Sequence, residues 1–199
     1  GSISCSLCSV GFTTANIGSY ECIQCPPGKT TNKEGSSTCI DCSTGAYAKL
    51  VTESSAFTVK CIPCAIGSYA DLSGLTQCLL CLPGSIAPLT GTVSCSSCSS
   101  GMYSQQPGSS SCSLCPLGSS SDLPFGSSSC SQCMKGFFCS RGTSVSQAQY
   151  CDYPSSYCPG NGSFPIPTAD GFIAIGEYWN PNSSTFDNGT DGTNRLLYT

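Results

Sequence analysis

The sequence predicts a small disulfide-rich fold, mostly irregular with short β-hairpins. The hairpins are expected to form an elongated tandem-repeat rod with a β-prone C-terminal segment. Three observations predict this. Eight Cys-x-x-Cys pairs recur along 199 residues; their first cysteines, Cys5, Cys22, Cys39, Cys61, Cys78, Cys95, Cys112 and Cys130, are 17 residues apart except for steps of 22 after Cys39 and 18 after Cys112. Glycine returns at two set places in the period. Cysteine accounts for 19 of the 199 residues, about 10 %, the range of disulfide scaffolds. A short fixed period means a stack of units, each too small to bury a core alone.

Every pair is followed by x-x-Gly, giving Gly11, Gly28, Gly45, Gly67, Gly84, Gly101, Gly118 and Gly136. Glycine at a fixed place predicts a positive-φ turn or a close backbone approach. Two residues further on the chain carries Tyr47, Tyr69, Ile86, Tyr103 or Phe138, with Phe12 one place early in the first repeat. A second glycine (Gly18, Gly35, Gly74, Gly91, Gly108, Gly126) stands four residues ahead of the next pair. The unit reads as a short extended leg, a glycine-bearing turn and a return leg ending on cysteine, which is a small irregular hairpin. No helical period is sustained. Repeat three carries five extra residues within Ala46–Lys60, and the alternation of Ala56-Phe57-Thr58-Val59-Lys60 predicts a longer hairpin there. A dedicated binding finger is the competing reading of that insertion.

The same spacing resembles a zinc ribbon, in which four thiolates hold each metal. Against zinc stand the absence of histidine, the low charge and a run of pairs that does not divide into fours. Redox-active Cys-x-x-Cys motifs open helices in βαβ settings, and no helix signal follows any pair here. Disulfides are therefore expected, with no metal and no cofactor. Their connectivity stays open. A local scheme joins the second cysteine of each pair to the first of the next: Cys8–Cys22, Cys25–Cys39, Cys42–Cys61, Cys64–Cys78, Cys81–Cys95, Cys98–Cys112 and Cys115–Cys130. A rival scheme joins first to first and second to second between neighbouring pairs. Under the local scheme Cys133, Cys139, Cys151 and Cys158 form two further bonds and Cys5 is left over. An odd cysteine opening a periodic array leads us to expect its partner upstream, in a longer natural chain.

The tail differs in kind. Three glycosylation acceptor triplets, Asn161-Gly-Ser, Asn182-Ser-Ser and Asn188-Gly-Thr, cluster there. Residues 171–179 are apolar and β-prone. On a strand, Phe172, Ala174 and Tyr178 share one face and Ile173, Ile175 and Trp179 the other. With no adequate partner expected in the tail, this strand either packs on the last repeats or adds to another chain. Phe172, Ile173, Ile175, Tyr178 and Trp179 are the candidate assembly contact. Asp187, Asp191 and Gly192 fall at positions one, five and six of a calcium loop, but Gly189 and Tyr198 occupy positions three and twelve. An Asx/Gly turn is expected instead.

Charged residues make up only 9 % of the chain and the net charge is −4. No basic patch is present, so nucleic acid is not expected as a partner. No apolar run approaches the ~20 residues of a membrane helix. A serine-rich surface, densest over residues 96–131 and poor in Lys and Glu, needs another source of solubility, and covalent glycans supply one. The acceptor triplets and the cysteine array together point to secretion or an extracellular surface.

The unit Cys-x-x-Cys-x-x-Gly-x-Tyr…Gly-x-x-x-Cys resembles the ephrin-receptor-like cysteine-rich repeat, a relative of growth-factor-receptor and tumour-necrosis-factor-receptor modules. The resemblance spans roughly residues 5–133. Lys135-Gly-Phe-Phe-Cys…Tyr157-Cys-Pro-Gly-Asn-Gly is similar to tracts of very large surface proteins of algae, water moulds and other protists. That family brings a further cysteine, which implies continuation beyond Thr199. The resemblance implies an extended extracellular module and carries neither a catalytic residue nor a defined ligand.

We therefore expect three segments: tandem repeats of ~17 residues over 1–133, a variant cysteine-rich unit over 134–163 and a cysteine-free glycosylated β segment over 164–199. The expected function is an extracellular structural glycoprotein, part of a self-associating surface appendage or filament. The alternative is a receptor or adhesion ectodomain binding a protein ligand. No paired carboxylates, His or phosphate loop suggests an enzyme.

Overall fold

The structure, a computed structural model, describes residues 4–14, 16–53, 56–134, 136–151, 156–158, 165–167, 177–180 and 185–188. The chain divides into two units. One comprises Gly1–Leu82, Ile86–Ser96 and Pro107–Ser111, and the other Pro83–Ser85, Ser97–Gln106 and Cys112–Thr199.

Local chemistry builds each repeat. The x-x-Gly-x after the second cysteine is a four-residue turn: Lys29 N–H donates to Pro26 C=O at 3.1 Å and Ser68 N–H to Ala65 C=O at 3.1 Å. The third turn residue needs positive φ, which glycine supplies (Gly28 81°, Gly67 80°). Pro27 ahead of Gly28 sets the preceding φ. After the turn, two residues form a strand that pairs antiparallel with the two residues inside the next Cys-x-x-Cys. Ser68–Tyr69 faces Leu79–Leu80 in this way, and Met102–Tyr103 faces Ser113–Leu114. The unit is thus the expected hairpin, but its return strand lies between the cysteines rather than ahead of them. The second cysteine then locks the end, as Cys42 N–H donates to Gly28 C=O (3.0 Å) and Cys81 N–H to Gly67 C=O (3.0 Å).

Of the two disulfide schemes, the structure has the local one, from Cys8–Cys22 through Cys115–Cys130. Cys133–Cys139 and Cys151–Cys158 take up the remainder, and Cys5 is free and exposed. Sulfur is the core. Cys42, Cys64, Cys81 and Cys115 are fully buried, whereas many leucines and isoleucines are exposed. In units too small for an apolar core, the disulfide supplies both the buried group and the constraint on the unfolded chain.

Neighbouring repeats are joined by backbone hydrogen bonds in a constant pattern. The first glycine donates to the residue three past the first glycine of the next repeat: Gly45 to Ala70, Gly67 to Ala87 and Gly84 to Ser104, at 2.7–2.8 Å. The second glycine donates back to the second cysteine of the preceding repeat: Gly74 to Cys42, Gly91 to Cys64, Gly108 to Cys81 and Gly126 to Cys98, each at 2.8 Å. A further relation skips one repeat. The first glycine of a repeat lies against the second glycine of the repeat two places on: Gly28 on Gly74, Gly45 on Gly91, Gly67 on Gly108 and Gly84 on Gly126. The first glycine row is thus a packing requirement as well as a turn requirement.

Two repeats break the pattern. The insertion of repeat three forms the expected long hairpin, Ala46–Glu53 paired with Ala56–Pro63, with Lys49 opposite Lys60 and Leu50 opposite Val59. Its base packs inward at Val59, while Leu50 and Phe57 further out are exposed. Val59 is buried, lies against Gly11, donates to Val10 C=O at 3.1 Å and accepts from Thr30 Oγ1. In repeat seven one extra residue widens the leg to Ser119–Ser121, which pairs with Cys130–Gln132 and, in parallel, with Thr143–Ser144. The one helical element among the described residues is a 3-10 turn, Val145–Gln147.

In the tail, Glu177–Asn180 pairs with Thr185–Asn188, placing Trp179 opposite Phe186 and Tyr178 opposite Asp187. For the described end of the expected 171–179 strand, this corrects the expectation that it lacks a partner in the tail; residues 171–176 lie outside the described residues. A second short run, Thr185-Phe-Asp-Asn, supplies one. It also places Asp187 and Asn188 on a strand, where a turn was expected; Asp191 and Gly192 lie outside the described residues.

Candidate functional site

The break in the pattern at repeat three leaves a pocket. Elsewhere the residue before the second cysteine touches the second glycine of the next repeat: Leu7 with Gly35, Asp41 with Gly74, Leu80 with Gly108 and Leu114 with Gly142. Repeat three has no such glycine. Phe57 stands at its place, four residues ahead of Cys61, on a strand that leads away into the long hairpin. Beside Gln24, which has no such glycine neighbour, is a space of about 180 Å³, walled by Cys25, Pro27, Gly28, Ala48, Leu50 and Val59 among others.

Two backbone groups bordering this space lose their usual partners. The Cys25 carbonyl corresponds to those of Cys8, Cys42, Cys64, Cys81, Cys98 and Cys115, all of which accept from a glycine. The Gly28 N–H corresponds to those of Gly45, Gly67 and Gly84, all of which donate. Among the described residues, neither the Cys25 C=O nor the Gly28 N–H has a hydrogen-bond partner. Both residues are buried. Unpaired buried backbone groups are rare and cost free energy comparable to a lost hydrogen bond. At the rim, Lys29 Nζ lies 2.8 Å from Asp41 Oδ1, opposite it across the strand pair Lys29–Thr30 and Ile40–Asp41. The site can therefore hold one apolar group and answer one donor and one acceptor.

The residues singled out from the sequence lie elsewhere. Phe172, Ile173 and Ile175 fall outside the described residues, while Tyr178 and Trp179 belong to the tail hairpin. Asn161 and Asn182 are also outside, and Asn188 ends a strand opposite Glu177. Every cysteine expected in a disulfide (Cys8, Cys22, Cys25, Cys39, Cys42, Cys61, Cys64, Cys78, Cys81, Cys95, Cys98, Cys112, Cys115, Cys130, Cys133, Cys139, Cys151 and Cys158) is found in one. Cys25, Gly28 and Leu50 were not recognised as a site from sequence. The signal that pointed to them was the glycine missing before Cys61. Among the described residues, no helix is long and apolar enough to cross a membrane.

Tandem short hairpins stapled by nine disulfides, with sulfur for a core, define a cysteine-rich repeat domain of the extracellular type. The family described as tyrosine-protein kinase ephrin type A/B receptor-like matches residues 1–42, 52–94 and 84–133. The chain belongs to that family. No curated protein matches the chain.

Proposed function

We propose that the chain is part of an extracellular structural glycoprotein, a self-associating appendage or filament subunit that acts by assembly and not by catalysis. The repeat-to-repeat bonding carries this reading. Most repeats are tied to the next through backbone groups, and repeats two to six to the repeat after that through packed glycines, a build suited to bearing tension. Glycans at Asn161, Asn182 and Asn188 would supply the solubility that a 9 % charged composition lacks. The tail, with Phe172, Ile173, Ile175, Tyr178 and Trp179, is the proposed contact between copies. An exposed strand edge can add to a neighbour, and a heterologous contact repeated without closure builds a filament.

A receptor or adhesion ectodomain is the second reading. It is favoured by the pocket at repeat three and by the receptor in the family's description. Electron microscopy of native material at low and high protein concentration separates the two. Regular filaments, lost on deletion of residues 171–188 while the repeats stay folded, are the expected result. Discrete particles at every concentration would sink the structural reading.

A further inference from the structure

We propose that the pocket beside Cys25 and Gly28 is a peptide-binding site, taking a short segment of a partner protein with an aliphatic side chain. The inference goes beyond the structural role and does not depend on it.

The site is continuous with an interface the chain makes repeatedly. At six other second cysteines, the carbonyl accepts from the N–H of a glycine turn brought by the following repeat (Gly35, Gly74, Gly91, Gly108, Gly126 or Gly142). At Cys25 that turn is diverted into the Ala46–Pro63 hairpin. The interface is left open on one side with its hydrogen-bonding groups still in place. Its occupant must bring an N–H for Cys25 C=O, as the glycine turn does elsewhere, a C=O for Gly28 N–H, the part that falls elsewhere to the residue three past the next first glycine and that Ala48 does not take here, and a narrow backbone able to approach closely. Leu50, Val59 and Pro27 add apolar walls, and about 180 Å³ is room for one aliphatic side chain and its peptide unit. Recognition that takes affinity from main-chain bonds and selectivity from a side-chain pocket is a recurrent mode of peptide binding. A sugar or an anion fits less well. The walls are mostly apolar, and the rim ammonium of Lys29 is already paired with Asp41.

The probe is a blocked heptapeptide, acetyl-Ala-Pro-Leu-Thr-Gly-Thr-Val-amide, the sequence of residues 87–93 that fills the equivalent site at Cys64. It is titrated into the isotope-labelled full chain with its disulfides intact. Saturable shifts of the Gly28 amide and the Cys25 carbonyl are expected, with no shift at Gly45, whose N–H already donates to Ala70. Methylating the peptide's glycine nitrogen should weaken binding at least tenfold. Leu50→Arg and Thr76→Arg, both at exposed wall positions, should abolish the shifts while leaving the Gly67 and Gly84 amides unchanged. Three results would overturn the proposal. One is a Gly28 amide that never shifts and exchanges as slowly as that of Gly67, meaning a bound water or internal partner alone satisfies it. Another is equal binding by both arginine variants. The third is a Gly28 shift that follows protein concentration without peptide, which assigns the site to a second copy of the chain.

Discussion

Gly28 and Gly74 meet back to back across an intervening repeat, so closely that a Cβ on Gly28 would overlap the Gly74 carbonyl oxygen. The same relation recurs from Gly67 to Gly108. The atom obstructed is backbone, which cannot swing aside as a flexible side chain can.

Gly67→Ala should therefore destabilise well beyond the cost of a positive φ. That cost is ~1–2 kcal/mol, and the backbone overlap should raise the total to about 3 kcal/mol or more. Gly18, at φ 79° with nothing within 4 Å of its added Cβ, is the control. Gly18→Ala should cost only about 1 kcal/mol. Thermal unfolding of the two variants side by side checks this, and equal losses would mean that the skip contact is not a stabilising one.

Ser104 is buried, and its Oγ has no hydrogen-bond partner. Equivalent positions in the two preceding repeats hold Ala70 and Ala87, both fully buried. Ser104→Ala removes a desolvated hydroxyl that makes no bond, so stability should rise by up to about 1 kcal/mol. A lowered melting temperature would show that the hydroxyl is satisfied in solution.

Replacing Cys64 and Cys78 together by alanine opens a loop with a sequence separation of 14. A loss of roughly 3 kcal/mol is expected from the chain-entropy term, concentrated in the affected repeat, because backbone bonds to its neighbours remain. Hydrogen exchange resolved by residue should find the amides of residues 65–77 deprotected and those near Cys115 unchanged. Uniform deprotection would mean that the array unfolds as one block.

The Lys29–Asp41 pair is exposed, with 38 % and 48 % of the side chains accessible. Asp41→Asn should cost under about 1 kcal/mol at low salt, and the difference should vanish near 1 M salt, where screening is complete. A salt-independent loss would indicate that Asp41 acts through its packing on Gly74 instead.

Much of this architecture was legible in the sequence because its causes are local. The turns at Gly28 and Gly67, the hairpin period and the long hairpin around Val59 all follow from spacing and glycine position. Long-range geometry was less accessible. Spacing alone left two disulfide schemes open, since both join cysteines at similar separations. Nothing in one period announces that Gly28 will touch Gly74. The partner of Tyr178 and Trp179 was missed because Thr185-Phe-Asp-Asn looks polar and sits between two acceptor triplets. The pocket was visible only as an absence, the missing glycine before Cys61, and its meaning required knowing what that glycine does in the other repeats.

The local disulfides also define how the chain would carry tension. A pull transmitted from Cys8 to Cys133 need not run through the hairpin loops. It can cross from Cys8 to Cys22, follow three peptide links to Cys25, cross again to Cys39, and so continue to Cys130 and Cys133. Each crossing spans 5.5–5.8 Å between α-carbons, so this covalent shortcut has little slack even if every hairpin is pulled apart. Cleaving one bridge would release a loop able to lengthen by roughly 40 Å at full extension. In a single-molecule stretching experiment the oxidised array would behave as a nearly inextensible tether. Added reductant would lengthen it in discrete steps, converting thiol chemistry into length.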